Sequence, residues 1–96
     1  MDYRIYIIDL YDIYSNLLTQ KQKEYFEDYY FNNLTLSEMS ENYEISRNGI
    51  HKQIKETEEK LKNYEEKLNI YDRNKAIIKL IDKLDEKTKN KIIDLL

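Results

Sequence analysis

The 96-residue chain has no cysteine, no proline, no tryptophan and a single glycine, Gly49. Without cysteine, neither a disulfide framework nor a thiolate metal site can form. Without proline, and with one glycine, the usual signals for tight β-turns are missing, and a glycine-rich phosphate loop is excluded. There is no apolar run near ~18 residues and no signal-peptide pattern, so no membrane insertion is expected and the cytosol is the expected location. The one histidine, His51, has no nucleophile, orienting carboxylate or further metal ligand arranged around it. No metal, no cofactor and no catalysis are therefore expected.

What is present suits helices. Charged residues make up 36% and apolar ones 41%, a balance that fits one small all-α bundle of amphipathic helices. Between residues 3 and 18, Tyr3, Ile7, Leu10, Tyr11, Tyr14, Leu17 and Leu18 recur at three-four spacing and mark one helical face. Thr19 with Gln22 forms a capping box that opens a second helix through about Phe31, with a stripe of Tyr25, Phe26, Tyr29 and Tyr30. Asn32 and Asn33 end it, because asparagine tolerates the left-handed backbone. Tyrosines on a surface can stack on nucleobases, but at helical spacing they more often form core, which is the reading adopted.

Residues 36–54, LSEMSENYEISRNGIHKQI, read as a helix-turn-helix. Leu36, the small Ser40, Tyr43, Ile45, Ile50 and Ile54 fall at the positions that pack two such helices together. Thr35 and Glu38 form a capping box for the first helix, and Ser46 caps the second. The ninth position of the motif, usually Gly for its left-handed backbone, is Glu44. A non-glycine residue there costs roughly 1 kcal/mol, so a differently built turn is expected.

The second motif helix does not stop at the motif. Ile50, Ile54, Thr57, Leu61, Tyr64 and Leu68 continue the stripe at alternating intervals of four and three, the pattern of a coiled-coil seam. A helix over residues 47–68 is roughly 33 Å long at ~1.5 Å per residue, longer than the preceding helices are expected to cover. Glu58 with Lys62 and Glu56 with Lys60 are spaced to pair on its solvated face, where Glu65 and Glu66 also belong. After a break over residues 69–74, Ile77, Ile78, Leu80, Ile81 and Leu84 form one apolar stripe, and Ile92, Ile93, Leu95 and Leu96 another, with Asp85 capping the final helix. Two regions result: residues 1–68 as the helix-turn-helix bundle with its extended helix, and residues 69–96 as a C-terminal helical segment packing on that bundle or on a second subunit. A homodimer is expected, held by Thr57, Leu61, Tyr64, Leu68, Ile92 and Leu95.

Charge is unevenly placed. Residues 1–45 carry nine acids and three bases, whereas residues 46–55 carry Arg47, Lys52 and Lys55 and no acid. The positive stretch lies where a helix-turn-helix puts its groove contacts. Arg47, Asn48, His51, Lys52 and Lys55 are the candidate nucleic-acid-binding residues, since Arg and Asn suit guanine and adenine edges. The same residues equally fit a solvated face, and three cations beside an acidic flank give only a weak electrostatic pull on phosphate.

Residues 10–68 carry, in order, a Leu-Leu-Thr-x-x-Gln cap, an aromatic second helix, a Leu-Ser-Glu helix, a Ser-Arg opening of the next helix and a Glu/Lys-rich extension. In that order the chain resembles the YlxM family of small bacterial proteins, and its motif alone is similar to the sigma-factor helix that reads the upstream promoter element. The resemblance implies a non-enzymatic helix-turn-helix protein tied to the signal recognition particle pathway, whose genes are the family's usual neighbours. It implies either DNA binding in a regulatory role or contact with the particle's RNA, its GTPase or the receptor, with the motif serving as scaffold. No catalytic residue is carried over. Ser46, Arg47 and Lys52 are the matching positions that keep nucleic-acid contact in view.

Overall fold

Side-chain caps set most of the helix starts. In the computed structural model, which describes residues 2–96, Asp2 caps α1 (Tyr3–Tyr14), Thr19 caps α2 (Gln20–Tyr30) and Thr35 caps α3 (Leu36–Tyr43). Ser46 caps α4 (Arg47–Leu68) and Asp85 caps α6 (Glu86–Ile93). Both capping boxes are complete, the Gln22 and Glu38 side chains accepting in return from the amides of Thr19 and Thr35. Between α4 and α6 lies α5 (Ile70–Leu80), and a 3-10 turn over Ser15–Leu17 joins α1 to α2. The chain is all-α, with no strand among the described residues.

The helices organise around α4, against which α1, α2 and α3 all pack. Ile7, Leu10, Tyr14, Phe26, Met39, Ile50, Ile54 and Leu61 form the centre of one core, each at most 2% exposed. Phe26 is sandwiched, stacked on Tyr11 with ring centroids 4.2 Å apart and on Tyr30 at 4.4 Å. The aromatic stripe of α2 is thus core at Tyr25, Phe26 and Tyr30 and half-buried at Tyr29. Two residues of the expected α1 stripe stand apart, Tyr3 and Leu17 being about half exposed at its ends. The α-helix itself stops at Tyr14, before the tighter 3-10 turn.

Three expectations are corrected here. The turn between α3 and α4 is not built differently, because Glu44 itself takes the left-handed conformation at φ 56° and ψ 40°. The Ser40 hydroxyl donates across the turn to the Ile45 carbonyl, and the Ile45 amide donates to the Ser40 carbonyl, which hold that conformation in place. The break after α4 is one residue, Asn69, left-handed at φ 56°, rather than six. The α4 stripe is also covered further than expected. α1 runs along it, so that Thr57 and Leu61 are buried within the chain and unavailable to a second copy. Tyr64 is half-buried and donates to the Leu17 carbonyl, whereas Leu68 stays half exposed.

Beyond Asn69 the molecule becomes thin. α5 touches α1, while α6 packs extensively on no helix of the bundle. The radius of gyration is 16.4 Å and the principal extents are 52 × 25 × 24 Å, against roughly 12.5 Å for the radius of a compact chain of this length. The first turns of α5 lie against α1, and the end of α5 with α6 projects from the bundle as an arm.

Candidate nucleic-acid interface

The Ser46 hydroxyl accepts from the Gly49 amide at 3.1 Å and fixes the first turn of α4. Arg47, Asn48, His51, Lys52 and Lys55 all project into solvent from the first three turns of this helix. Ile50 and Ile54, on the opposite side, are buried. Arg47, Asn48 and His51 join Leu36 of α3 around a shallow depression. Arg47 leans on Ser37, its Nη1 donating to the Ser37 Oγ at 3.3 Å, which orients the guanidinium towards the N-terminus of α3. Lys55 is held in part by Glu58, with Nζ 3.7 Å from Oε1. The arrangement offers three cations, an amide and an imidazole along one helical edge, beside an N-terminus whose macrodipole favours anions.

Gly49 is what lets this helix sit close to its turn. A Cβ at that position would lie 2.7 Å from Ile45 Cγ2 and 3.2 Å from Ser46 Oγ. Ile45 is β-branched and has little rotamer freedom to move aside. The single glycine of the chain therefore serves close packing rather than backbone freedom.

Two buried carboxylate clusters further along α4 are formed by tertiary contacts and not by local sequence. Glu58 and Glu65, assigned above to a solvated face, are buried at 3% and 5% exposure. Glu58 accepts from the hydroxyls of Tyr3 at 2.9 Å and Tyr30 at 2.8 Å. The expected pairing of Glu58 with Lys62 is consequently missing, and Lys62 pairs with Glu59 at 2.7 Å instead. Glu65 accepts from the Tyr14 hydroxyl at 2.6 Å and from the amides of Tyr71 at 2.9 Å and Asp72 at 3.1 Å. Asn69 has no side-chain capping bond, so Glu65, from the last turn of α4, serves as the cap of α5. Further tyrosine–carboxylate bonds join Tyr11 to Glu27 and Tyr43 to Asp28. Burial, and then the bond to Glu65, push the Tyr14 hydroxyl up to about 12. Burial, and then the bond each makes to its own carboxylate, raise Tyr11 (Glu27), Tyr30 (Glu58) and Tyr43 (Asp28) well above the ordinary tyrosine range. A signal did exist: Glu58 and Glu65 are seven apart and border Ile54 and Leu61, in a chain with ten tyrosines.

Of the residues expected at a dimer contact, Ile92 is half-buried and Leu95 is 85% exposed. Among the described residues no group of His, Asp and Glu is placed to hold a metal ion, and no helix is long and apolar enough to cross a membrane.

Comparison with known proteins agrees with this architecture. The model of the UPF0122 family, described as "Putative helix-turn-helix protein, YlxM / p13 like", matches residues 1–95. A UPF0122 protein of Oceanobacillus iheyensis is 43% identical over 82 residues, covering 85% of this chain and 78% of its own length. One from Caldanaerobacter subterraneus is 46% identical over 77 residues, covering 80% of this chain and 66% of the relative. A third, from Fusobacterium nucleatum, is 42% identical over 93 residues, covering 96% and 90%.

Proposed function

Since the chain belongs to the YlxM/p13-like family of helix-turn-helix proteins, we propose that it is a non-enzymatic regulatory or accessory protein of the signal recognition particle pathway that contacts duplex DNA through the first turns of α4. The observation carrying this reading is the acid-free edge of Arg47, Asn48, His51, Lys52 and Lys55, exposed on the second helix of a regular helix-turn-helix. Arg47 and Lys52 supply charge for phosphate or guanine, and Asn48 supplies the paired donor and acceptor that match adenine. The link to the pathway rests on the resemblance of residues 10–68 described above.

A second reading has its own support. Residues 1–45 carry net −6, which opposes a duplex lying across the bundle and favours the motif as a scaffold for contacts with the particle's RNA or GTPase. Fluorescence anisotropy with duplex DNA from upstream of the chain's own operon separates the two. Salt-dependent binding that is lost in Arg47→Ala/Lys52→Ala, with helicity unchanged, is the expected result. Equal affinity of that variant defeats the recognition-edge role. Retention of the RNA or the GTPase, with no duplex bound at low salt, selects the scaffold reading.

A further inference from the structure

The arm is both oily and basic. Leu80 and Leu95 are 82% and 85% exposed, and Leu84 and Ile78 are each more than two-fifths exposed. Lys75, Lys79, Lys83, Lys87 and Lys91 recur every fourth residue, all exposed. Of the acids among them, Asp82 is paired to Lys89 at 3.3 Å, Asp85 is taken up as the α6 cap, and Glu86 is exposed in the first turn of α6, so that the five lysines outnumber the three acids. The complement to such a surface exists elsewhere on the same chain. Ile5, Asp9 and Asp12 form a stripe at four and three residue spacing on the outer face of α1, with Ile5 57% exposed and Asp12 exposed. Asp9, Asp12 and Ile13 continue that stripe into a groove closed on its far side by Asn74, Lys75 and Ile78 of α5.

We propose that the chain forms a two-fold dimer in which the arm of each copy lies along α1 of the other, Leu80 against Ile5 and Ile13, and Lys79 and Lys83 against Asp9 and Asp12. Such an interface is reciprocal, so each contact occurs twice. Nucleic acid would engage the lysines but leave the leucines in water. An anionic lipid surface would take both, yet it would bring Asp9 and Asp12, at the root of the arm, against charge of their own sign. A second copy supplies apolar surface and carboxylates together. The contact thereby moves from the α4 seam, already covered by α1, to the arm.

Light scattering after size exclusion at micromolar concentration reads the result. The wild type is expected to be a dimer, and Leu80→Glu, at a solvent-exposed position, a monomer of unchanged helicity. Lys79→Glu/Lys83→Glu and Asp9→Lys/Asp12→Lys should each weaken the dimer by at least about tenfold, as expected for like charges placed opposite one another. The chain combining all four changes should regain it. A monomeric wild type, or a dimer indifferent to Leu80→Glu, overturns the proposal. So does a failure of the combined variant to recover while its helicity is intact. A wild-type monomer that instead sediments with phosphatidylglycerol vesicles assigns the arm to lipid. None of these outcomes depends on duplex binding by α4, so the proposal stands or falls apart from the function proposed above.

Discussion

At the scale of single residues, three positions are held against their own preference or left without a partner. Glu44 is left-handed, a conformation that costs a non-glycine residue about 1–2 kcal/mol, and it places a carboxylate at the negative end of α3. Glu44→Asn should raise the unfolding free energy by about 1 kcal/mol in urea titrations, and a loss would show that the side chain has a role the fold does not reveal. Gly49 predicts the opposite sign. Gly49→Ala gains helix propensity of roughly 1 kcal/mol but forces Ile45 aside, so a net loss of about 1–2 kcal/mol is expected in the same titration. Tyr25 and Tyr14 make a matched pair. The Tyr25 hydroxyl is buried with no partner, so Tyr25→Phe should leave stability level or improve it; Tyr14→Phe removes a donor from buried Glu65 and should cost about 1–2 kcal/mol.

At the scale of helices, the fold is tied by tyrosine hydroxyls donating to carboxylates across elements. Tyr14 joins α1 to α4, Tyr30 joins α2 to α4 and Tyr43 joins α3 to α2. These hydroxyls have folded pKa values raised above the unfolded 10.0, so the neutral form is the one that folding favours. Their contribution is fully present below pH 10 and is lost as pH climbs from there, through about 12 for Tyr14 and higher still for Tyr30 and Tyr43. Circular dichroism and tyrosinate absorbance should therefore change together in one alkaline transition, and ionisation of Tyr14 in a still-helical chain would contradict the argument. The α4–α5 joint depends on one side chain. Glu65→Ala orphans the Tyr14 hydroxyl and uncaps α5, at an expected cost of about 2–3 kcal/mol. Amide exchange should accelerate at Tyr71 and Asp72 more than around Phe26.

For the molecule as a whole, 52 Å in its longest extent, two surfaces of different chemistry lie at the two ends of α4. One is the cationic edge at the start of α4, and the other is the oily, basic arm beyond its end. If the edge alone grips DNA, about three phosphates are neutralised per chain, and the slope of log affinity against log salt should be about −3 for one chain and about −5 for a dimer using both edges. A much steeper slope would enlist the lysines of the arm.

Local chemistry explains what was legible in the sequence. Capping boxes, three-four spacing and the scarcity of glycine and proline act over a few residues, so Thr19, Thr35, Ser46 and Asp85 marked helix starts and the stripes of α2 and α4 marked core faces. The candidate contact residues were legible as an acid-free stretch, and their exposure follows from the buried positions of Ile50 and Ile54. Which carboxylates lie inside was marked only by the register of Glu58 and Glu65 beside Ile54 and Leu61, because their burial depends on tyrosines 28 to 55 residues away being brought within hydrogen-bond distance. The fate of the long α4 stripe was not legible. A periodic apolar face specifies that something must cover it, and only the packing of α1 along α4 decided that Thr57 and Leu61 are covered from within while Leu68 and the arm are left open.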